Sequence, residues 1–258
     1  MKQQSSILCV GAIFILCVVC VSTVHAEIVG MWLFEEGTGK QVKDTSGKGH
    51  VGTLMGGAKW SKGKFNGGIE LNKTGFIEWK HHADFSFAEA LTIMIYARID
   101  DITPQEWVGL PRKEGEYVMA AHKLGGEMEM TFWINIGGNW IGQIPAGGQF
   151  PAVKFGEWHH YAVTYDGKEV LLFLDGKDAG GQKVSGQMSQ TGDVVHISNS
   201  CCGGRFMEAA IDEFVMANHT MPQAEIADFA QKGIELTLSI EAQDKLATTW
   251  GQLKETIR

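Results

Sequence analysis

Cysteine is scarce where it could brace a fold. Five occur in the 258 residues, and three of them, Cys9, Cys17 and Cys20, lie in the first 26. The remaining two, Cys201 and Cys202, are adjacent, so a framework of bridges is excluded and stability must come from apolar burial. Basic runs are missing as well. The 22 Lys and Arg face 30 Asp and Glu, for a formal net charge of −8, and nothing offers the positive stripe that nucleic acid requires. Mild acidity favours solubility and selects no partner. Beyond the amino-terminal segment, no apolar run approaches the roughly 18 residues of a membrane span. Internal repeats and a second domain are also lacking.

What is present begins with an export signal. Lys2 supplies a positive start, Ile7 to Val21 is apolar, and Val24-His25-Ala26 resembles a small-residue cleavage site. Residues 1–26 read as a signal peptide, leaving a mature chain that is secreted, periplasmic or held at the cell surface. An uncleaved anchor is the alternative. Lipidation at Cys20 is disfavoured, because Val18 and Val19 stand where a small residue is needed.

The mature chain is organised around Gly156 to Lys177. Trp158, Tyr161, Val163 and Tyr165 mark one strand, Asp166-Gly167 supplies a turn, Glu169 to Leu174 forms a second strand, and Asp175-Gly176 turns the chain again. Asp-Gly favours tight hairpins because Gly tolerates positive φ. Both strands are apolar on nearly every residue, which predicts cover on both faces. Strict alternation in Leu91, Ile93, Ile95, Ala97 and Ile99 marks another strand. Glu27 to Phe34, Tyr117 to Lys123, Met128 to Ile136, Asn139 to Ile144, Gly192 to Ser198 and Phe206 to Ala217 read as strands too. Asp100 to Glu116 lacks periodicity and reads as a long loop. Thr220 to Gln223 has capping-box spacing and opens a short helix to about Gln231. Leu246, Trp250, Leu253 and Ile257 share one face of an amphipathic helix. That helix either packs on the domain or docks a partner. The whole predicts an all-β, two-sheet antiparallel sandwich with a carboxy-terminal amphipathic helix.

The central stretch resembles the laminin G-like and pentraxin domains of the concanavalin A-like lectin/glucanase superfamily. Gly156, Trp158, His160, Ala162, Val163, Thr164, Tyr165, Asp166 and Gly167 carry that likeness. So do Trp32, Phe34, Glu36, Gly37 and Gly39, then Asp44, Ser46, Gly47, Gly49 and Gly52, and finally Ile211, Asp212 and Glu213. The resemblance implies a jelly-roll over residues 27–232 with a tail at 233–258. It also implies recognition of a carbohydrate or an extracellular protein, and a structural calcium ion held by Glu36, Asp44 and Asp212. Oxygen-rich acids suit calcium, and adjacent first and last strands would bring Glu36 near Asp212.

Glucanases of that superfamily use a Glu-x-Asp-x-Glu strand. The nearest approach here is Glu127-x-Glu129, which lacks the third acid at Thr131, so a hydrolase built on Glu127 and Glu129 is the lesser alternative to a non-catalytic module. A third is a surface protein that assembles through the carboxy-terminal helix. The pairs His81-His82 and His159-His160 fail as chelates, because neighbours on a strand point apart. Aromatic platforms and amides suit sugars. Trp107, Trp133, Asn135, Asn139, Trp140, Gln143 and Phe150 are the candidates, with Trp107 and Trp140 expected to be exposed and Trp32 and Trp158 to be core. Cys201 and Cys202 could close a vicinal disulfide, or stay free, or bridge between chains.

Overall fold

A computed structural model describes residues 27–102, 104–145, 150–199 and 204–238. The signal segment, Cys201 and Cys202, and the helix expected at 244–257 lie outside the described residues. In chain order the strands are β1 (Ile28–Trp32), β2 (Gln41–Val42), β3 (Gly52–Met55), β4 (Lys59–Lys62), β5 (Gly67–Leu71), β6 (Phe76–Trp79), β7 (Leu91–Asp101), β8 (Trp107–Lys113) and β9 (Tyr117–Leu124). They continue as β10 (Glu127–Ile136), β11 (Asn139–Ile144), β12 (Val153–Lys154), β13 (Trp158–Tyr165), β14 (Glu169–Leu174), β15 (Lys177–Lys183), β16 (Val195–Ile197) and β17 (Glu208–Ala217), followed by α1 (Gln223–Lys232).

They build two antiparallel sheets. One runs β15-β14-β13-β7-β17-β5-β4, with β1 also beside β17; the other runs β11-β10-β9-β8-β16-β6-β3-β2, with β12 on β10. The predicted hairpin sits inside the first sheet, Tyr161 opposite Leu174 and Tyr165 opposite Val170. Its second turn has positive φ at both Asp175 (51°) and Gly176 (76°), the conformation a two-residue hairpin needs. First and last strands do lie together, with Trp32 opposite Phe214.

Alternation sends every second side chain between the sheets. Trp32 stacks on Phe214 with ring centroids 5.0 Å apart and meets Trp79 at 4.9 Å. All three rings are fully buried, each contributing roughly 2–3 kcal/mol of burial. A second apolar cluster lies outside the eight-stranded sheet. There Met94, Ala162, Phe173 and Val215 meet Ile226 and Phe229 of α1 and Ile234 just beyond it. This explains why β13 is apolar on both faces.

Three expectations need correction. The stretch 100–116 is not one long loop, since β7 extends to Asp101 and β8 occupies Trp107–Lys113. The register of β8 on β9 shifts between Gly109 and Arg112, so Pro111 falls in a bulge, where its missing N–H matters least. Lys113 is fully buried and bonds Ser86, Glu116 and Thr191, so a charge that reads as loop is satisfied inside. Trp158 is only partly buried, with the Arg98 guanidinium 5.7 Å from its ring centroid. The helix α1 forms where expected, but its N-cap is Pro222 and no side chain caps it, so the capping box does not form.

Candidate carbohydrate-binding cleft

The outer face of the nine-stranded sheet is built by β8 to β11. On β10, Met128, Met130, Phe132 and Ile134 enter the core, so Glu127, Glu129, Thr131, Trp133 and Asn135 take the opposite face. On β9 the outward residues are the small Val118 and Ala120, then His122. They form a low floor beside which Trp107, Trp133 and Trp140 stand, with Gly109, Arg112, Gln143 and Arg205 completing a cleft of about 530 Å³. Trp140 is 41% exposed, and Trp107 and Trp133 are partly exposed.

Two of the rings have a local support. Trp107 lies flat on the His122 imidazole, centroids 3.6 Å apart and planes 9° apart, and meets Trp133 edge-on at 6.4 Å. His122 is tied in turn to Glu129, Nδ1 to Oε1 at 3.0 Å. Trp133 is seated against Gly142, where any Cβ would clash with the indole. A register shift between Phe132 and Ile134 marks this place, and Gln143 adopts φ 57° there. That bulge re-aims the end of β11. Arg112 is 7% exposed and paired with Glu114, so it presents an anchored guanidinium. A smaller compartment of about 240 Å³ on the other side of Trp107 is lined by His122, Glu129, Thr131, Gln143 and Pro145.

The residues named from sequence therefore divide. Trp107, Trp133, Trp140 and Gln143 come together. Asn135 does not join them: it is 7% exposed and its Oδ1 accepts from Ser189 Oγ at 2.8 Å. Asn139 is exposed at the start of β11, outside the cleft. Phe150 is core, 6.4 Å from the Tyr161 ring. His122, Arg112 and Arg205 were missed. The alternation of Val118, Ala120 and His122 on one face was the available signal for the first.

The two acids of the hydrolase alternative have different surroundings. Glu129 holds His122, while Glu127 is exposed at the end of the β9–β10 hairpin, opposite Leu124 and Lys154.

The acids assigned to calcium are dispersed in their bonding. Asp44 accepts backbone N–H donors from Met31, Ser46 and His50 at 2.8–3.1 Å. Asp212 accepts from Phe65 at 3.0 Å and Glu213 at 2.8 Å, and its burial pushes its pKa up to about 6. The acid felt by Asp212 is Glu35, one residue from the expected Glu36. Glu36 Oε1 accepts the Lys43 amide at 2.5 Å, and its Oε2 is buried without a hydrogen-bond partner. Most of these oxygens face N–H donors, and the three acids do not fall within ligand distance of one another among the described residues. Among the described residues, the side chains close enough to hold a metal together are His50, His82 and Asp84.

A family model described as concanavalin A-like lectin/glucanases superfamily matches residues 71–227. The chain belongs to this superfamily. No curated protein sequence matches it. Among solved structures, it resembles domain 4 of AbnA, a GH43 extracellular arabinanase from Geobacillus stearothermophilus, in complex with arabinotriose. There the TM-score is 0.65 at 15% identity, over 80% of this chain and 99% of that one. It also resembles the binding domain of paraclostridial mosquitocidal protein 1, with TM-score 0.61 at 14% identity over 79% of this chain and 52% of that one. The binding domain of botulinum neurotoxin DC, in complex with SialylT, gives TM-score 0.61 at 10% identity over 81% and 51%. The chain thus spans about half the length of these toxin domains. At such identities the likeness establishes the fold, and these structural neighbours are mostly described as binding domains. No described helix is long and apolar enough to cross a membrane.

Proposed function

We propose that the chain is an exported, non-catalytic recognition module that binds carbohydrate in the cleft of Trp107, Trp133 and Trp140. The convergence of these three indoles with Gln143 around an open space of about 530 Å³ carries the reading. Indole faces stack on the C–H faces of sugar rings, and the Gln143 amide and the two guanidiniums hydrogen-bond hydroxyls. Pockets of a few hundred Å³ suit a short oligosaccharide. The supports under Trp107 fix the platform before ligand arrives, which lowers the entropic cost of binding. Structural neighbours described with arabinotriose and SialylT support a carbohydrate ligand, while another is described with a protein, rat synaptotagmin II; the three indoles favour the sugar.

Glycan-array screening followed by calorimetry tests it. Binding should weaken by roughly thirtyfold in Trp107→Ala, and weaken in Trp140→Ala, with the melting temperature retained. No glycan bound, or binding unaltered by both substitutions, would overturn the reading. Turnover of a polysaccharide lost in Glu129→Gln would replace it with the hydrolase.

Calcium is a separate proposal resting on the resemblance, and Glu36 Oε2 is the oxygen left to receive it. A rise in Tm with calcium that Glu36→Gln removes would support it. An unchanged Tm would set it aside.

A further inference from the structure

His81 and His82 are adjacent, and so cannot chelate together. His82 nevertheless finds a partner 32 positions away in sequence. It precedes the 3₁₀ turn Ala83–Phe85 and caps it, its Nδ1 accepting from the Asp84 amide at 3.2 Å. The turn carries Asp84 towards His50, whose Nε2 lies 2.9 Å from Asp84 Oδ2. His82 Nδ1 lies 3.4 Å from the same oxygen, and the two imidazole centroids are 4.3 Å apart. One atom from each of the three side chains falls within 4.8 Å of the others.

We infer that His50, His82 and Asp84 form a binding site for a divalent transition metal, with zinc as the natural occupant and one coordination position open to solvent. Zinc takes imidazole nitrogen and carboxylate oxygen at about 2.0–2.2 Å, so neighbouring ligands of a tetrahedron stand about 3.3 Å apart. The separations of 2.9 and 3.4 Å to Asp84 bracket that edge. Two nitrogens and one oxygen suit zinc, copper or nickel and do not suit calcium, which needs six or more oxygens.

The site is built from its surroundings inwards. The His50 backbone is pinned at both ends, its N–H to Asp44 Oδ2 at 3.0 Å and its carbonyl to the Trp32 indole N–H at 2.7 Å. Its ring rests edge-on against buried Phe85, centroids 4.7 Å apart. A ligand held this firmly loses little freedom on binding metal. His82 is about half exposed and is the flexible member that closes on the ion, giving up a weak capping bond. Asp84 lines a cleft of about 570 Å³ with Glu27, Ala83 and Ser86, and the open position faces that side. The exposed Lys48, bonded to Glu27 at 2.7 Å, interacts electrostatically with Asp84 and opposes the metal's charge.

The test uses untagged mature protein stripped with chelator and titrated with zinc by calorimetry. Cobalt(II) spectra report coordination number in parallel. One zinc per chain at micromolar affinity or tighter is expected, with a raised Tm and a four-coordinate cobalt spectrum. His82→Ala, at an exposed position, should weaken binding by more than about tenfold, and Asp84→Asn likewise. His81→Ala should leave it unchanged. Absence of saturable binding would overturn the assignment, as would zinc affinity that is indifferent to His82→Ala and Asp84→Asn. Glycan affinity of the same variants, expected to be unaltered, keeps this outcome separate from that of the tryptophan cleft.

Discussion

The two sheets of the sandwich present their outer faces differently. The eight-stranded sheet is sealed: Phe229 and Ile226 of α1 cover Met94, Ala162, Phe173 and Val215, and the Tyr96 hydroxyl donates to the Ala230 carbonyl at 2.6 Å. The nine-stranded sheet leaves one indole exposed and two partly exposed over a floor of Val118 and Ala120. Apolar surface on the first face stabilises the fold. Apolar surface on the second is left partly exposed, the kind of patch that marks an interaction site. On the proposed function, stability and recognition belong to opposite sides of one molecule.

Substitutions on the two faces should separate those roles. The largest effect is expected on the sealed side. Phe229→Ala should remove about 3–5 kcal/mol of unfolding free energy, measured by urea denaturation, with glycan affinity per folded molecule unchanged. A loss below about 1 kcal/mol would mean that the helix adheres only weakly.

Next comes the dependence on pH, which also belongs to the sealed side. Both Glu213 carboxylate oxygens accept the Ile234 amide at 3.0 Å, fastening the chain after α1 to β17. Burial raises the Glu213 pKa from 4.5 to about 8, with Asp212 and Glu35 adding to the rise. The folded state therefore holds this proton more tightly than the unfolded chain. The contribution is complete below pH 4.5 and is lost as pH rises through about 8, a change on the order of 2–4 kcal/mol. Urea midpoints should fall from pH 7 to pH 9, above the range where the lowered pKa values of buried His160 and His219 act in the opposite sense, and Glu213→Gln should flatten that fall. A flat profile in the unaltered protein would sink the idea.

On the open side, Trp107→Ala should weaken sugar binding by about 2 kcal/mol, roughly thirtyfold, in calorimetry. The smallest effect is on stability there. Trp140→Ala, which removes the most exposed of the three rings, should shift unfolding free energy by no more than about 0.5 kcal/mol. If it costs as much as Phe229→Ala, the contrast between the faces fails.

Legibility followed sequence distance. The β13–β14 hairpin was readable because two Asp-Gly pairs and unbroken apolar strands act within a few residues of one another. Strand β8 was not, because Pro111, Arg112 and Lys113 break the local pattern. Their compensation comes from afar, from β16 at Val195–Ile197 and from Thr191. Trp107 and Trp140 were picked out by their polar and glycine neighbours, yet nothing local revealed that Phe150 points inward or that Trp158 is partly open. That Glu129 would bond His122 was not readable either, because the two residues meet across the register of β9 and β10.

By itself, the sequence determined the all-β class, the paired hairpin strands and the membership that their motifs carry, since alternation and turn chemistry are properties of short segments. Tertiary structure alone decided which face was sealed, which indoles met, and that His50 would lie against Asp84. Those outcomes depend on strand register, where a shift of one residue exchanges the two faces, and register is fixed by packing between segments distant in the chain.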